Sequence, residues 1–549
     1  MTAIDWAIVL ILNGGVIAYG MWLARGIKTS GEWFLGKRAL AWWVVGLSML
    51  ATNVDNADLV SLTGTTYKEG MHIITVHTFG AAIGGVLAAF FIVPAMYRVG
   101  LYTNAEYLEA RFGVSTRVLS ALIQIQYRTS MLGLMIWSVY LLLTGLVGLS
   151  PPVAWALIVI LVVFSAIYTA WGGLRSVAMT DACQGVIMLV AMVVIFSAVW
   201  KAAGGWGPMI EKLNAASDSG GIPAADLPHI GRYHGDSGTT PSFVIILAWV
   251  IISGGYWLVN HTQTMRMLGS RSIWDMKMAA VFGVALSMPI MVGCASLGVF
   301  GRALYPEFAQ PDQLYPFMAN EYLGVGLKGL VVAGILAAAV STFDSMGSAL
   351  SAVFTRDIYA RLIRPDEDDA HYLKVGRWAT IGILALGFAY LPFISSKDTM
   401  LKAFLTLIPV FVTPLFTLYI VGVFTRAHPR SGVIGIVVGA LYGLLALYDR
   451  EMTDLAWLPS WLTGRWEALP WSMLVTAAAM FLTTLQLGRA PESPNASHTS
   501  KGWLAKSREE LTEVRERPDE SAAPQWAKPE WFAAALILFT GWLVFGVFW

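Results

Sequence analysis

The chain has 549 residues, of which 56% are hydrophobic and 13% charged, with a formal net charge of +1. That balance describes an all-α polytopic membrane protein and offers no basic surface for a nucleic-acid partner. Its two cysteines, Cys183 and Cys294, both fall in apolar runs, which excludes a disulfide framework and a thiolate metal centre.

Hydropathy predicts about fourteen transmembrane helices. They lie near 6–25, 40–66, 72–97, 118–147, 151–170, 179–200, 242–262, 278–301, 329–355, 378–396, 403–424, 431–449, 468–488 and 530–549. The first run is long and lacks a basic flank, so it reads as a retained helix followed by a cytoplasmic loop, together residues 1–39. Polar residues Thr52, Asn53, Asp55, Asn56 and Asp58 interrupt the second span. An interrupted helix exposes backbone carbonyls and helix ends where lipid cannot reach them, which suits ions and polar solutes. His77 follows in the third span and Gln124 in the fourth.

Arg128 lies about eleven residues into the fourth span, roughly 16 Å deep at 1.5 Å per residue. An intramembrane Arg needs a partner. Two roles fit: a fork for a substrate carboxylate, or a structural pair with Asp55, Asp58 or a carbonyl. Asp181 opens the sixth span, where an acid also suits a helix start. The 203–241 loop is Gly- and Asp-rich and is expected outside the cell. In the seventh span the predicted interruption is Ser253–Gly254–Gly255, followed by Tyr256, Trp257 and Asn260. The two aromatic rings serve either to stack on a solute or to pack, and His77 and His261 suit packing or hydrogen bonding.

The ninth span carries Ser341, Thr342, Asp344, Ser345, Ser348 and Ser351. Positions 341, 344, 345 and 348 share one helix face. Hydroxyls beside a carboxylate, without soft ligands, suit a hard cation such as Na+. Residues 425–488 supply two additional helices, 489–529 a polar cytoplasmic linker, and 530–549 a last helix. Most of the 36 Lys and Arg fall on the side of the first loop, which by the positive-inside rule puts both termini outside the cell (inner) membrane.

Four motifs in order resemble the sodium:solute symporter family, which includes sodium/glucose and sodium/proline cotransporters. They are LYTNAEYLEARFG at 101–113, GGLRSVAMTDACQG at 172–185, YWLVN at 256–260, and AAAVST at 337–342 with the Ser-rich turn 345–351 and DIY at 357–359. The resemblance implies a LeuT-like five-plus-five inverted repeat core, with repeats at 40–202 and 242–424. It also implies a Na+ site of Ala51, Val54 and Ala338 carbonyls with Ser341 and Thr342 hydroxyls. A second Na+ site would use Asp181, Ser341, Asp344 and Ser345. Asp344 stands where some relatives have Ser, and there either Na+ or a proton fits. The coupling ion is therefore Na+, one or two per cycle.

For the solute, the resemblance and the polar spans together nominate Asp55, Asp58, His77, Gln124, Arg128, Tyr256, Trp257, Asn260 and Thr406. Asn260 matches a sugar contact in a galactose-carrying member, but most of that member's set is changed. The expected function is Na+-coupled import of a small polar solute, a sugar or sugar derivative including a sugar acid, by alternating access. The alternative is an amino acid or small organic carboxylate. No soluble segment is large enough for a sensor kinase, the polar residues cluster at mid-depth instead of lining a pore, and no nucleophile or phosphate motif supports an enzyme. The partners expected are the solute, Na+ and the lipid bilayer, with no obligate protein partner.

Overall fold

The computed structural model describes residues 1–25, 27, 29–215, 222–235, 238–397, 400–451, 457–490, 502–513 and 527–549. Among these, eleven helical segments are long and apolar enough to cross a membrane. One of them, Pro151–Ala203, turns at Gly173 (φ 58°) into two spans. The interrupted pair Trp42–Asn53 and Asn56–Glu69 and the helix Val114–Gly145 complete the expected fourteen. No strand occurs among the described residues beyond a single bridge between Leu40 and Ser270.

The first interruption sits where the polar run predicts it. Val54 and Asp55 are extended (ψ 104° and 170°). The Asp55 carboxylate accepts the Asp58 N–H at 2.8 Å, and Asp58 returns the bond to the Asp55 N–H. This capping box satisfies orphan donors of the new helix and makes the break a stable feature. Asn56 fixes it to the fourth span by donating to the Met135 carbonyl at 2.8 Å.

The second interruption differs from expectation. Helix Ser242–Val259 runs unbroken through Ser253–Gly255, and the chain breaks at Asn260 (ψ 106°) before helix His261–Leu268. The glycines serve packing instead: a Cβ on Gly254 would lie 2.7 Å from Phe416, and one on Gly255 2.6 Å from Val412. Asn260 supplies the break because its Oδ1 accepts the Thr262 N–H at 3.1 Å, capping the next helix.

Lipid offers no hydrophobic drive between helices, so close contact of small residues holds them together. A Cβ on Gly298 would lie 1.9 Å from Thr66 Oγ1, and one on Gly334 2.5 Å from the Ala191 Cβ. Gly298 thus lets helix Ile273–Leu304 lie against the broken helix, and Gly334 does the same for helix Leu327–Val353 against Pro151–Ala203. The linker is not wholly irregular: helix Trp503–Glu513 docks on the core. Trp503 stacks on Tyr372 with ring centroids 4.0 Å apart. Arg356 lies between the Trp503 and Tyr102 rings, 4.8 and 3.6 Å from their centroids.

Candidate functional site

Ser341 lies fully buried against the first break. Its hydroxyl is 3.1 Å from the Ala51 carbonyl and 2.6 Å from Asp181 Oδ1. Thr342 Oγ1 reaches the Ala338 carbonyl at 2.9 Å, one turn back on the same helix. Val54 is the non-helical residue that ends the first half-helix. The Ser341 hydroxyl therefore meets the broken helix at Ala51, while the Thr342 hydroxyl stays on its own helix. Neutral oxygens gathered at an unwound point suit a weakly held monovalent cation.

The four residues of the expected second cation site do not all converge. Asp181 accepts Ser341 at Oδ1. Its Oδ2 accepts the Ser48 hydroxyl at 2.7 Å and Arg266 Nη2 at 2.6 Å. Ser345 contacts the same guanidinium and lies 3.2 Å from Thr52 Oγ1. Asp344 turns the other way. Its Oδ1 accepts Ser165 and Thr169 at 2.6 and 2.7 Å, and its buried Oδ2 has no hydrogen-bond partner among the described residues.

Beside the break lies a partly enclosed cavity of about 100 Å³. Of the nominated residues, Asp55, Asp58, His77, Arg128 and Tyr256 line it. His77 Nε2 is 3.9 Å from Asp58 Oδ1. Arg128 lies over the Tyr256 and Tyr127 rings, 5.5 and 5.7 Å from their centroids. No carboxylate among the described residues is within ion-pair distance of it, and its Nε has no partner. Tyr256 Oη donates to the Thr52 carbonyl at 2.7 Å and accepts Gln263 at 3.1 Å, so the cavity wall is tied to the broken helix.

The other nominees lie off the cavity. Gln124 is buried and donates to Ser120 at 3.1 Å. Trp257 packs against Gly84, where a Cβ would be 2.7 Å from its ring. Asn260 serves as the helix cap, and Thr406 returns its hydroxyl to the Lys402 carbonyl at 2.7 Å. The sequence reading missed Trp249 and Ser253, which line the cavity with Tyr256. Their spacing of 249, 253 and 256 marks one helix stripe and was available as a signal. It also missed Arg266 and Arg117, counted there only as cytoplasmic positive charges. Arg117 is buried among Asp357, Glu109 and Glu106 at 2.7, 2.6 and 3.2 Å.

The sodium:solute symporter family profile matches residues 33–443. A sodium/glucose cotransporter 4 from Danio rerio is 26% identical, with 96% of this chain and 84% of the relative covered. A sodium/glucose cotransporter from Vibrio parahaemolyticus is 24% identical, with 81% and 85% covered. Among solved structures, a substrate-bound outward-open Na+-coupled sialic acid symporter superposes with a TM-score of 0.75 at 22% identity, covering 89% of this chain and 99% of that one. The nucleobase-cation symporter Mhp1 in a closed conformation gives 0.56 at 15% identity, covering 85% and 97%.

Proposed function

Since the chain belongs to the sodium:solute symporter family, we propose that it imports a neutral sugar or sugar derivative together with Na+, by alternating access. Residues 40–202 and 242–424 form the two halves of the inverted repeat, and both termini lie outside the cell (inner) membrane. Na+ sits between Ala51, Val54 and Ala338 carbonyls and the Ser341 and Thr342 hydroxyls. Its occupancy stabilises the outward-open state, and solute then binds beside the break before the two halves rock.

The observation that carries the solute class is the charge balance of the cavity. Two carboxylates, Asp55 and Asp58, face one guanidinium, Arg128, with Trp249 and Tyr256 on the same wall. Carboxylates accept sugar hydroxyls, a guanidinium donates to them, and an aromatic face covers the ring's C–H side. An anion entering there meets two acidic side chains for one guanidinium. Glucose cotransporters among the relatives support the same reading.

A sugar acid is the second reading, favoured by the Arg128 Nε, which has no hydrogen-bond partner among the described residues. A thermal-shift screen in Na+ or K+ separates the two, because a ligand that binds only the folded state raises the melting temperature. A Na+-dependent shift with neutral sugars is expected. A shift confined to carboxylate-bearing compounds would move the protein to the sugar-acid branch, and a shift with amino acids alone would overturn the sugar reading.

A further inference from the structure

Three ion pairs join the two proposed halves on the face that carries the linker. Arg117 Nε donates to Asp357 at 2.7 Å, Arg356 Nε to Glu106 at 2.9 Å, and Arg361 Nη2 to Glu109 at 2.8 Å. Glu106, Glu109 and Arg117 belong to residues 40–202, and Arg356, Asp357 and Arg361 to residues 242–424. In the proposed orientation this face is cytoplasmic, so the pairs form a seam across the exit that alternating access must open.

Helix Trp503–Glu513 lies over this seam and packs on both Val93–Val99 and Phe354–Ile363. Its buried residues Trp503, Leu504, Ser507 and Leu511 share one face, and Lys506 and Glu510 are exposed. That face bonds to both halves. In the first half, the Tyr102 hydroxyl donates to the Ser507 carbonyl at 3.3 Å. In the second, Asp369 Oδ1 accepts Trp503 Nε1 at 3.0 Å. Arg356 belongs to the seam and to this contact alike. While its Nε holds Glu106, its Nη1 and Nη2 each donate to Ser507 Oγ at 3.2 Å. Its guanidinium is covered by Tyr102 on one side and Trp503 on the other. A helix bonded to both halves cannot keep both sets of contacts as the halves part. This one has 11 residues, and isolated helices shorter than about 12–15 residues are marginal in water, so its order depends on the docked face.

We propose that helix Trp503–Glu513 is a releasable strap that holds the cytoplasmic side of the transporter shut through Arg356. The proposal rests on the alternating-access reading and the orientation given above. With the helix docked, two rings and the Ser507 hydroxyl fix Arg356 against Glu106 away from water. With the helix released, Arg356 regains water and rotamer freedom, and a solvent-exposed ion pair contributes little. Undocking therefore loosens the seam and favours the inward-open state.

Double electron–electron resonance on the purified full chain in Na+ tests this without a known solute. Spin labels go on the exposed positions of Arg98→Cys and Leu362→Cys, one in each half, with Cys183→Ser removing the exposed native thiol. The otherwise unchanged chain is expected to show mainly the short distance. Trp503→Ala with Ser507→Ala removes a ring over Arg356 and the hydroxyl that accepts both its Nη atoms, and is expected to raise the ratio of long to short distances about tenfold. Should that variant not fold, Ser507→Ala alone keeps the packed ring and is expected to raise the ratio several-fold. Arg361→Gln serves as the control, because it breaks the Glu109 pair of the seam and leaves Trp503 and Ser507 in place. A longer distance in Arg361→Gln with no change in either folded strap variant would overturn the strap, as would a long distance already dominant with the helix intact. No change in any of the three variants would instead refute the reading that the halves part at this face.

Discussion

Ser341→Ala tests the sodium site most directly. The Ser341 hydroxyl is fully buried, 2.6 Å from Asp181 Oδ1 and 3.1 Å from the Ala51 carbonyl. Its removal takes away one proposed Na+ ligand and the hydrogen-bond donor to Asp181 Oδ1. A hydrogen bond to a charged group contributes about 1.5–3 kcal/mol. At 1.4 kcal/mol per factor of ten, that is roughly a 10- to 150-fold rise in the Na+ concentration giving half of the effect. The assay is the melting temperature of the purified variant titrated with NaCl, with KCl holding ionic strength constant. Ser341→Thr retains a hydroxyl and is expected to stay near the wild type, which separates loss of the ligand from loss of the fold. A well-folded Ser341→Ala with the wild-type Na+ midpoint would refute the site.

Three other perturbations probe other parts of the chain. Arg128→Gln is expected to raise the half-saturating solute concentration about tenfold, the lower bound for a charged hydrogen bond, with the Na+ midpoint unchanged; unaltered solute affinity in uptake assays would remove Arg128 from the site. Asp312, in the turn between two spans, has its carboxyl pushed up to about 6 by burial, against the Met400 N–H that it accepts at 3.0 Å. Its folded pKa exceeds the ordinary 3.8, so its contribution to stability is full below pH 3.8 and is lost as pH rises through 6. Melting temperatures across pH 4–8 should show this slope in the wild type and a smaller one in Asp312→Asn; equal slopes would refute it. Trp503→Ala removes a ring packed on Tyr372 and Arg356 and should cost about 3 kcal/mol, read as a lower melting temperature and faster proteolysis of the linker helix. Unchanged values would show that the helix does not dock in solution.

Spans and the first break were legible because apolar length and a cluster of polar residues are local properties. The break at 54–55 follows from Asp55 and Asp58 three positions apart, a cap pattern within one turn. The second break, expected at Ser253–Gly255, lies at Asn260 because a Gly pair inside an apolar run has two causes. In this chain Gly254 and Gly255 admit Phe416 and Val412, which are distant in sequence, while the cap was Asn260. Arg266 was invisible for a related reason. A basic residue near the end of an apolar run reads as a loop charge, and only tertiary packing brings it to Asp181, 85 positions away. Asp344 shows the limit of helix-face reasoning. It shares a stripe with Ser341 and Ser345, yet its carboxylate rotates to Ser165 and Thr169, because a stripe spans enough arc to face two neighbours.

The ion count and the solute's charge together fix how the symporter draws on its energy sources. With one Na+, a 100 mV potential supplies about 2.3 kcal/mol and a tenfold Na+ gradient about 1.4 kcal/mol. A neutral sugar carried with that ion is accumulated up to about 500-fold. A monovalent sugar acid would cancel the charge of the Na+, the potential would drop out, and the limit would fall to about tenfold. A second Na+ would add its own full driving force. Proteoliposomes loaded to a set potential with a K+ gradient therefore give a decisive reading. Addition of the solute found in the screen is expected to drive an inward current that carries one charge per molecule taken up. No current would assign an anionic solute to one Na+, and two charges per neutral molecule would assign two Na+ to each cycle.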